Sequence, residues 1–326
     1  MSVATLVRLL GPLDVGGSLE LFRRSGDDLL DRWDGRRLVR TVPHGGRAIA
    51  FVAQAGGNLQ APSFEVVAEA SDAAAVMAAR EAAAQTFVPA PPAYPDLLHD
   101  DPVLGRLDAR FPGIRQIRQL DLFSALVRCI SAQQVNLRWA VTTRRRLAEA
   151  FGERHTVSGE TVYHLDPARV ARLPPEEIRA LQFTTSKSAS IVAVAQALDE
   201  GRIRLDELAS LSDEEVIATL VTIRGIGRWS AEWVLARTLG RPTVVAGDLG
   251  VRKAVGLAYL DAAAPSEAAV RQTTAHWGAS AGTAQALLLH GLAEGALSSA
   301  PAAPRRRRPG SPAGPLPSPR RSDTGA

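Results

Sequence analysis

Two glycines set one residue apart between helix-like segments constrain this chain more than any other feature. Ser212 precedes Asp213, Glu214 and Glu215, and apolar residues at helical spacing follow as far as Leu220, which predicts a short capped helix. Trp229 to Thr238 predicts a second helix with Trp229, Trp233 and Ala236 along one side. Arg224-Gly225-Ile226-Gly227 joins them. The glycines permit a tight backbone path, and the isoleucine anchors the turn between the helices. Backbone N–H groups left free at the start of the second helix point outward, where a phosphate can sit. Read on residues alone, the same pattern equally describes plain packing of two helices.

The rest of the chain divides around this unit. Segments 37–42, 47–52 and 64–68 predict strands, with turns at Pro43–Gly46 and Gly56–Asn58. Ser71 is placed to cap an alanine-rich helix from Asp72 to about Ala84. Pro89-Ala90-Pro91-Pro92 marks a boundary, and from Tyr94 onward the reading is almost wholly helical. Helices are predicted at 101–111, from an Asp121 cap through Ile130, at 137–151, 176–181, 188–198, 266–276 and 282–292. Gln133 and Gln134 extend the apolar face of Leu122, Leu126, Cys129 and Ile130, either bonded to nearby backbone or lining a wet pocket. Arg144, Arg145 and Arg146 are expected in solvent or partly against phosphate.

Charge narrows the function classes less than its total suggests. The formal charge is +4, but the last 26 residues hold six arginines and one aspartate; without them 32 basic residues face 33 acidic ones. Attraction for nucleic acid must therefore come from a local patch or from backbone amides. The proline- and arginine-rich residues 301–326 predict disorder. One cysteine, Cys129, excludes a disulfide framework and a four-cysteine iron–sulfur cluster supplied by the chain. The six histidines show no metal-ligand spacing, and no apolar run is long enough for a membrane span.

The run Arg224-Gly225-Ile226-Gly227-Arg228-Trp229, with a Gly/Pro-rich stretch and Asp248 after it, resembles the helix-hairpin-helix of the DNA glycosylase superfamily. Within that superfamily it looks most like the bacterial inducible 3-methyladenine glycosylases, over about 95–292 and more weakly through the first ninety residues. The resemblance implies a mainly α helix-hairpin-helix glycosylase fold with a small N-terminal α+β antiparallel-sheet domain. It divides the chain into residues 1–92, 93–300 and a disordered tail, 301–326. Arg224, Gly225, Ile226, Gly227 and Arg228 are implied to hold DNA phosphate, with a monovalent cation at the hairpin carbonyls. Ile130 to Val135 is similar to the family's glutamine stretch at the base cleft, and Lys187 resembles its lysine. The family's glycine just before that lysine is replaced by Gln182-Phe183-Thr184-Thr185.

Asp248 is the catalytic candidate. On residues alone an aspartate before an apolar run is an N-cap, and the two roles coexist: helix amides favour the ionised carboxylate. A fixed negative charge there stabilises a deoxyribose that becomes positive as its base departs. Trp229 and Trp233 read as core residues on spacing alone. The resemblance places them in an aromatic base cleft with Gln133, Gln134, Trp277 and Leu249, where indole faces attract a cationic alkylated purine. Trp229 stands where relatives that form a Schiff base carry lysine, so hydrolysis without lyase chemistry is expected. The implied function is monofunctional excision of 3-methyladenine and 7-methylguanine from damaged double-stranded DNA. It implies no cofactor, no membrane, a monomer, and a cytoplasmic, nucleoid-associated location. The alternatives are a glycosylase/lyase acting on oxidised bases and a non-catalytic DNA-binding regulator.

Overall fold

Period-two alternation builds the N-terminal layer. In the computed structural model, which describes residues 4–69 and 72–297, it opens with β1 (Thr5–Arg8) and α1 (Val15–Arg24). Strands β2 (Arg32–Trp33), β3 (Arg37–His44), β4 (Arg47–Gly57) and β5 (Pro62–Ala68) follow, then α2 (Ala73–Ala84). The five strands form one antiparallel sheet in the order β1-β5-β4-β3-β2. Alternation sends Ile49, Phe51 and Ala53 of β4 toward Ala75, Ala79 and Ala82 of α2. It sends Ala50 and Val52 to the opposite face. Ser71 lies outside the described residues. The α2 cap is Asp72, whose side chain accepts from the Ala75 N–H at 2.8 Å.

The helical body begins with α3 (Tyr94–Asp100) and α4 (Pro102–Arg110), then α5 (Leu122–Ala132) and α6 (Leu137–Phe151). The reading from Tyr94 as almost wholly helical fails next, because β6 (Glu153–Val157) and β7 (Glu160–His164) form a hairpin. Val157 and Val162 of that hairpin cover Val39, Ala50 and Val52, the sheet face that α2 leaves bare. The sheet thus gains a second apolar cover from more than 100 residues downstream.

Short helices α7 (Pro167–Val170) and α8 (Pro175–Ala180) lead to α9 (Thr185–Asp199), α10 (Leu205–Ser210), α11 (Asp213–Leu220) and α12 (Arg228–Arg237). The chain closes with α13 (Leu249–Val255), a π-turn at Gly256–Leu260, α14 (Glu267–Thr274), a 3-10 turn at Ala275–Ser280 and α15 (Ala281–Ala293). The apolar faces sort into two lobes. One core gathers residues of α5 through α12. The other joins α3 and α4 to α13, α14 and α15. The seam between them falls between α12 and α13. Among the described residues no helix is long and apolar enough to cross a membrane. The tail at 301–326 lies outside them.

Candidate base-excision cleft

The hairpin forms where the glycines demand it. Ser212 and Glu215 cap α11 reciprocally, and the helix stops at Leu220. Gly225 turns at φ +82°, where a Cβ would lie 2.0 Å from Ser190 Oγ on α9, so only glycine fits. Ile226 is buried beneath the turn. Gly227 starts α12 without any side-chain cap, and its Cα faces open space. The first N–H groups of α12 are therefore free for an acceptor from outside.

The loop from α12 to α13 is fastened at both ends. Arg241 bonds Asp213 Oδ1 and the Leu211 carbonyl, each at 2.6 Å, while Gln285 Oε1 accepts from the Val245 N–H at 2.8 Å. These ties deliver Asp248 to the start of α13. Its Oδ1 accepts from the N–H groups of Gly250 (2.8 Å) and Val251 (3.1 Å). Its Oδ2 accepts from Trp229 Nε1 at 3.3 Å. The cap and the expected catalytic residue are the same carboxylate, and its bond to Trp229 spans the seam between the lobes.

The other expected residues scatter around this pair. Trp233 is half-buried one turn beyond Trp229. Gln133 does not continue α5: it is the C-cap (ψ 123°), and Gln134 turns to φ +55° and is exposed. Gln133 Nε2 instead donates to the Gly225 carbonyl at 3.0 Å, tying α5 to the hairpin. Trp277 is not in the cleft. It is 2% exposed, beside the Tyr259 and His276 rings at 6.3 Å, in a core whose Ala254, Ala258 and Ala281 leave room for an indole. Leu249 is 76% exposed and stands in solvent next to Asp248. Arg224 is exposed, while Arg228 shares Glu232 Oε1 with Arg271, at 2.8 and 2.7 Å.

The arginine run is also corrected in part. Arg144 is buried, its Nε on Asp28 Oδ2 at 2.9 Å; only Arg145 and Arg146 reach the surface. Lys187 caps the end of α5 by donating to the Ser131 carbonyl at 2.8 Å, and burial pulls its pKa down. Gln182 occupies φ +73°, the conformation the missing glycine would supply. Among the described residues no His, Cys, Asp or Glu cluster could hold a metal ion. The hairpin carbonyls of Ile223 and Gly225 accept bonds from the Ile226 N–H and Gln133, and each keeps a second lone pair. That donor chemistry fits a monovalent cation, whose charge would add to the attraction for phosphate.

Residues 127–279 match the family described as HhH-GPD superfamily base excision DNA repair protein. That match takes in the hairpin, both tryptophans of α12 and Asp248. It is 34% identical over 144 residues to the DNA-3-methyladenine glycosylase of Bacillus subtilis, covering 44% of this chain and 48% of that protein. The chain therefore spans about half the length of that relative. The likeness in fold extends further than the sequence match. The 3-methyladenine DNA-glycosylase of Archaeoglobus fulgidus superposes with TM-score 0.77 at 22% identity, over 88% of this chain and 98% of that one. The Clostridium acetobutylicum 8-oxoguanine glycosylase/lyase bound to double-stranded DNA gives 0.68 at 17% identity, over 90% and 98%.

Sequence reasoning missed Arg237 and Glu232. Arg237 follows Trp233 by four residues, so helical spacing placed it on the tryptophan side of α12. Glu232 follows Arg228 by four residues, so spacing offered that pair, but its second partner, Arg271, is on another helix.

Proposed function

We propose that this chain hydrolyses the N-glycosidic bond of alkylated purines, 3-methyladenine and 7-methylguanine, in duplex DNA and stops at the abasic site. The observation that carries the reading is the 3.3 Å contact between Trp229 Nε1 and Asp248 Oδ2, an indole and a carboxylate meeting at the seam of two lobes. Ligands bind preferentially where two lobes meet. The names of the Bacillus subtilis relative and the Archaeoglobus fulgidus structure support the substrate class.

The uncapped start of α12 and the exposed Arg224 and Arg228 hold the DNA backbone on one side of the damaged nucleotide. The nucleotide leaves the stack so that C1′ can reach the cleft. Leu137, 55% exposed at the start of α6, fills the space it leaves. An alkylated purine carries positive charge, which the Trp229 face attracts. The N–C1′ bond breaks with its electron pair going to the base, which departs neutral and needs no separate acid. Positive charge then develops on the sugar opposite Asp248, which stays fixed because two amides hold Oδ1. Water attacks C1′, passing its proton toward the carboxylate. The enzyme acts as a monomer on the nucleoid, with residues 93–300 carrying the chemistry and 1–92 bracing them.

Base release from methylated duplex DNA tests this. Asp248→Asn is expected to lower release at least about a hundredfold while DNA binding persists. Equal release by parent and variant would refute the assigned carboxylate, and no release by either would refute the activity. The fold shared with a glycosylase/lyase keeps one competing reading in view. Trp229 supplies no amine at the position after the hairpin, so borohydride should trap no protein–DNA adduct; a trapped adduct would favour that reading.

A further inference from the structure

The turn from α5 to α6 puts apolar side chains at the surface. Leu137 is 55% exposed and Trp139 39%, and Gln134, Asn136 and Arg138 beside them are exposed too. Between Asp121 and Glu149 the chain has five arginines and no acidic residue. Exposed apolar groups in a setting free of negative charge suit a duplex, whose stack takes the side chain while its phosphates lie against the positive charge. The turn is held from two sides. Gln133 Nε2 donates to the Gly225 carbonyl of the hairpin at 3.0 Å. Lys187 Nζ, on α9, donates to the Ser131 carbonyl at the end of α5 at 2.8 Å. Three residues on from Lys187, Ser190 packs so closely on Gly225 that no Cβ fits there. The end of α5, α9 and the hairpin therefore meet in one junction. Within the turn Gln134 keeps φ +55°, which a residue with a Cβ holds only where its surroundings fix it.

Taking a nucleotide out of a duplex costs unstacking energy, and a side chain pressed into the stack is pressed back. A wedge keeps its place only if it cannot recede from the element that grips the backbone. We propose that Gln133 is a positioning residue: its bond to Gly225, with Lys187 as the second tie, yokes the α5–α6 turn to the hairpin, so that gripping the backbone and filling the vacated stack act as one rigid body. The proposal rests on the catalytic reading above and deepens it. It gives the Gln133 amide to the hairpin and not to the base.

The test compares single-turnover release of 7-methylguanine from a duplex and from the same strand alone, which needs no extrusion. The proteins are the parent, Gln133→Met, Gln133→Lys and Lys187→Met. Methionine at 133 keeps the length of the side chain without its donor, and lysine there keeps a donor within reach of the carbonyl. Gln133→Met should lower the ratio of duplex to single-strand release about tenfold, the worth of one hydrogen bond. Gln133→Lys should hold that ratio within about threefold of the parent. Lys187→Met should lower the ratio as well, with the salt dependence of DNA binding unchanged, because its ammonium meets a carbonyl and not a phosphate. Equal loss from duplex and single strand, as for a glutamine that touches the base, overturns the proposal, and so does a lysine variant as impaired as Gln133→Met. A parent active on both strands whose ratio the methionine variants leave unmoved sinks this inference alone. A parent that releases no base from either sinks the catalytic reading and this inference with it.

Discussion

At Gly225 the backbone needs φ +82°, and an added Cβ would meet Ser190 Oγ at 2.0 Å and Ser190 Cβ at 2.5 Å. Gly225→Ala should therefore cost about 2 kcal/mol or more, read as a lower urea midpoint. Adding Ser190→Gly removes both clashing atoms but not the backbone cost, so stability should return only in part. A full return would mean that φ carries no cost here. The reverse case is Gln182 at φ +73°. A residue with a Cβ pays about 1–2 kcal/mol in that region, so Gln182→Gly should stabilise by roughly 1 kcal/mol after losing the exposed bond to Arg146.

Among the elements, α11 shows most directly how local sequence sets geometry at a distance. Ser212 Oγ accepts from the Glu215 N–H while Glu215 accepts from the Ser212 N–H at 2.8 Å. This box fixes where α11 begins, and Asp213 in its first turn holds Arg241 of the loop that delivers Asp248. Ser212→Ala should cost about 1 kcal/mol and speed hydrogen exchange first in α11. If exchange rises uniformly across the protein, the cap is not a local element. The same logic explains α13, where one aspartate both caps the helix and accepts from the Trp229 indole.

Across the whole molecule, a buried ionic network joins the N-terminal layer to the helical body. Asp28 takes Arg128 at 2.7 Å and Arg144 at 2.9 Å, and Asp31 takes Arg128 at 2.6 Å and Arg40 at 2.5 Å. Burial alone would raise the Asp28 carboxyl, but Arg128 and Arg144 beside it, with the Leu30 N–H, hold it well below the usual carboxylate range. A depressed folded-state pKa contributes stability that is fully present above the unfolded value, about 4, and is lost as pH falls toward the folded value. Thermal stability should therefore drop from about pH 4 downward, and Asp28→Asn should flatten that part of the profile. Asp28→Ala leaves two arginines buried without their acid and should cost about 3–5 kcal/mol at neutral pH. A loss below 1 kcal/mol would show that the network does not hold the two parts together.

What the sequence determined by itself was local. The α11 cap and end, the Asp121 cap of α5, the full extent of α6 and the hairpin glycines are written in neighbouring residues, because caps and helical period act over four positions. Asp248 as a cap was legible for the same reason. The tertiary structure alone decided the rest. The β6–β7 hairpin buries only His155, Val157, Val162 and His164, too faint an alternation to read until the bare face of a distant sheet is seen. Arg144 is buried because Asp28, 116 residues away, neutralises it. Trp277 left the expected cleft because alanines on other helices made room for it. The meeting of Trp229 with Asp248 depends on how two lobes close on each other. Contacts between residues far apart in the chain are fixed by packing, and packing has no signature in any single segment.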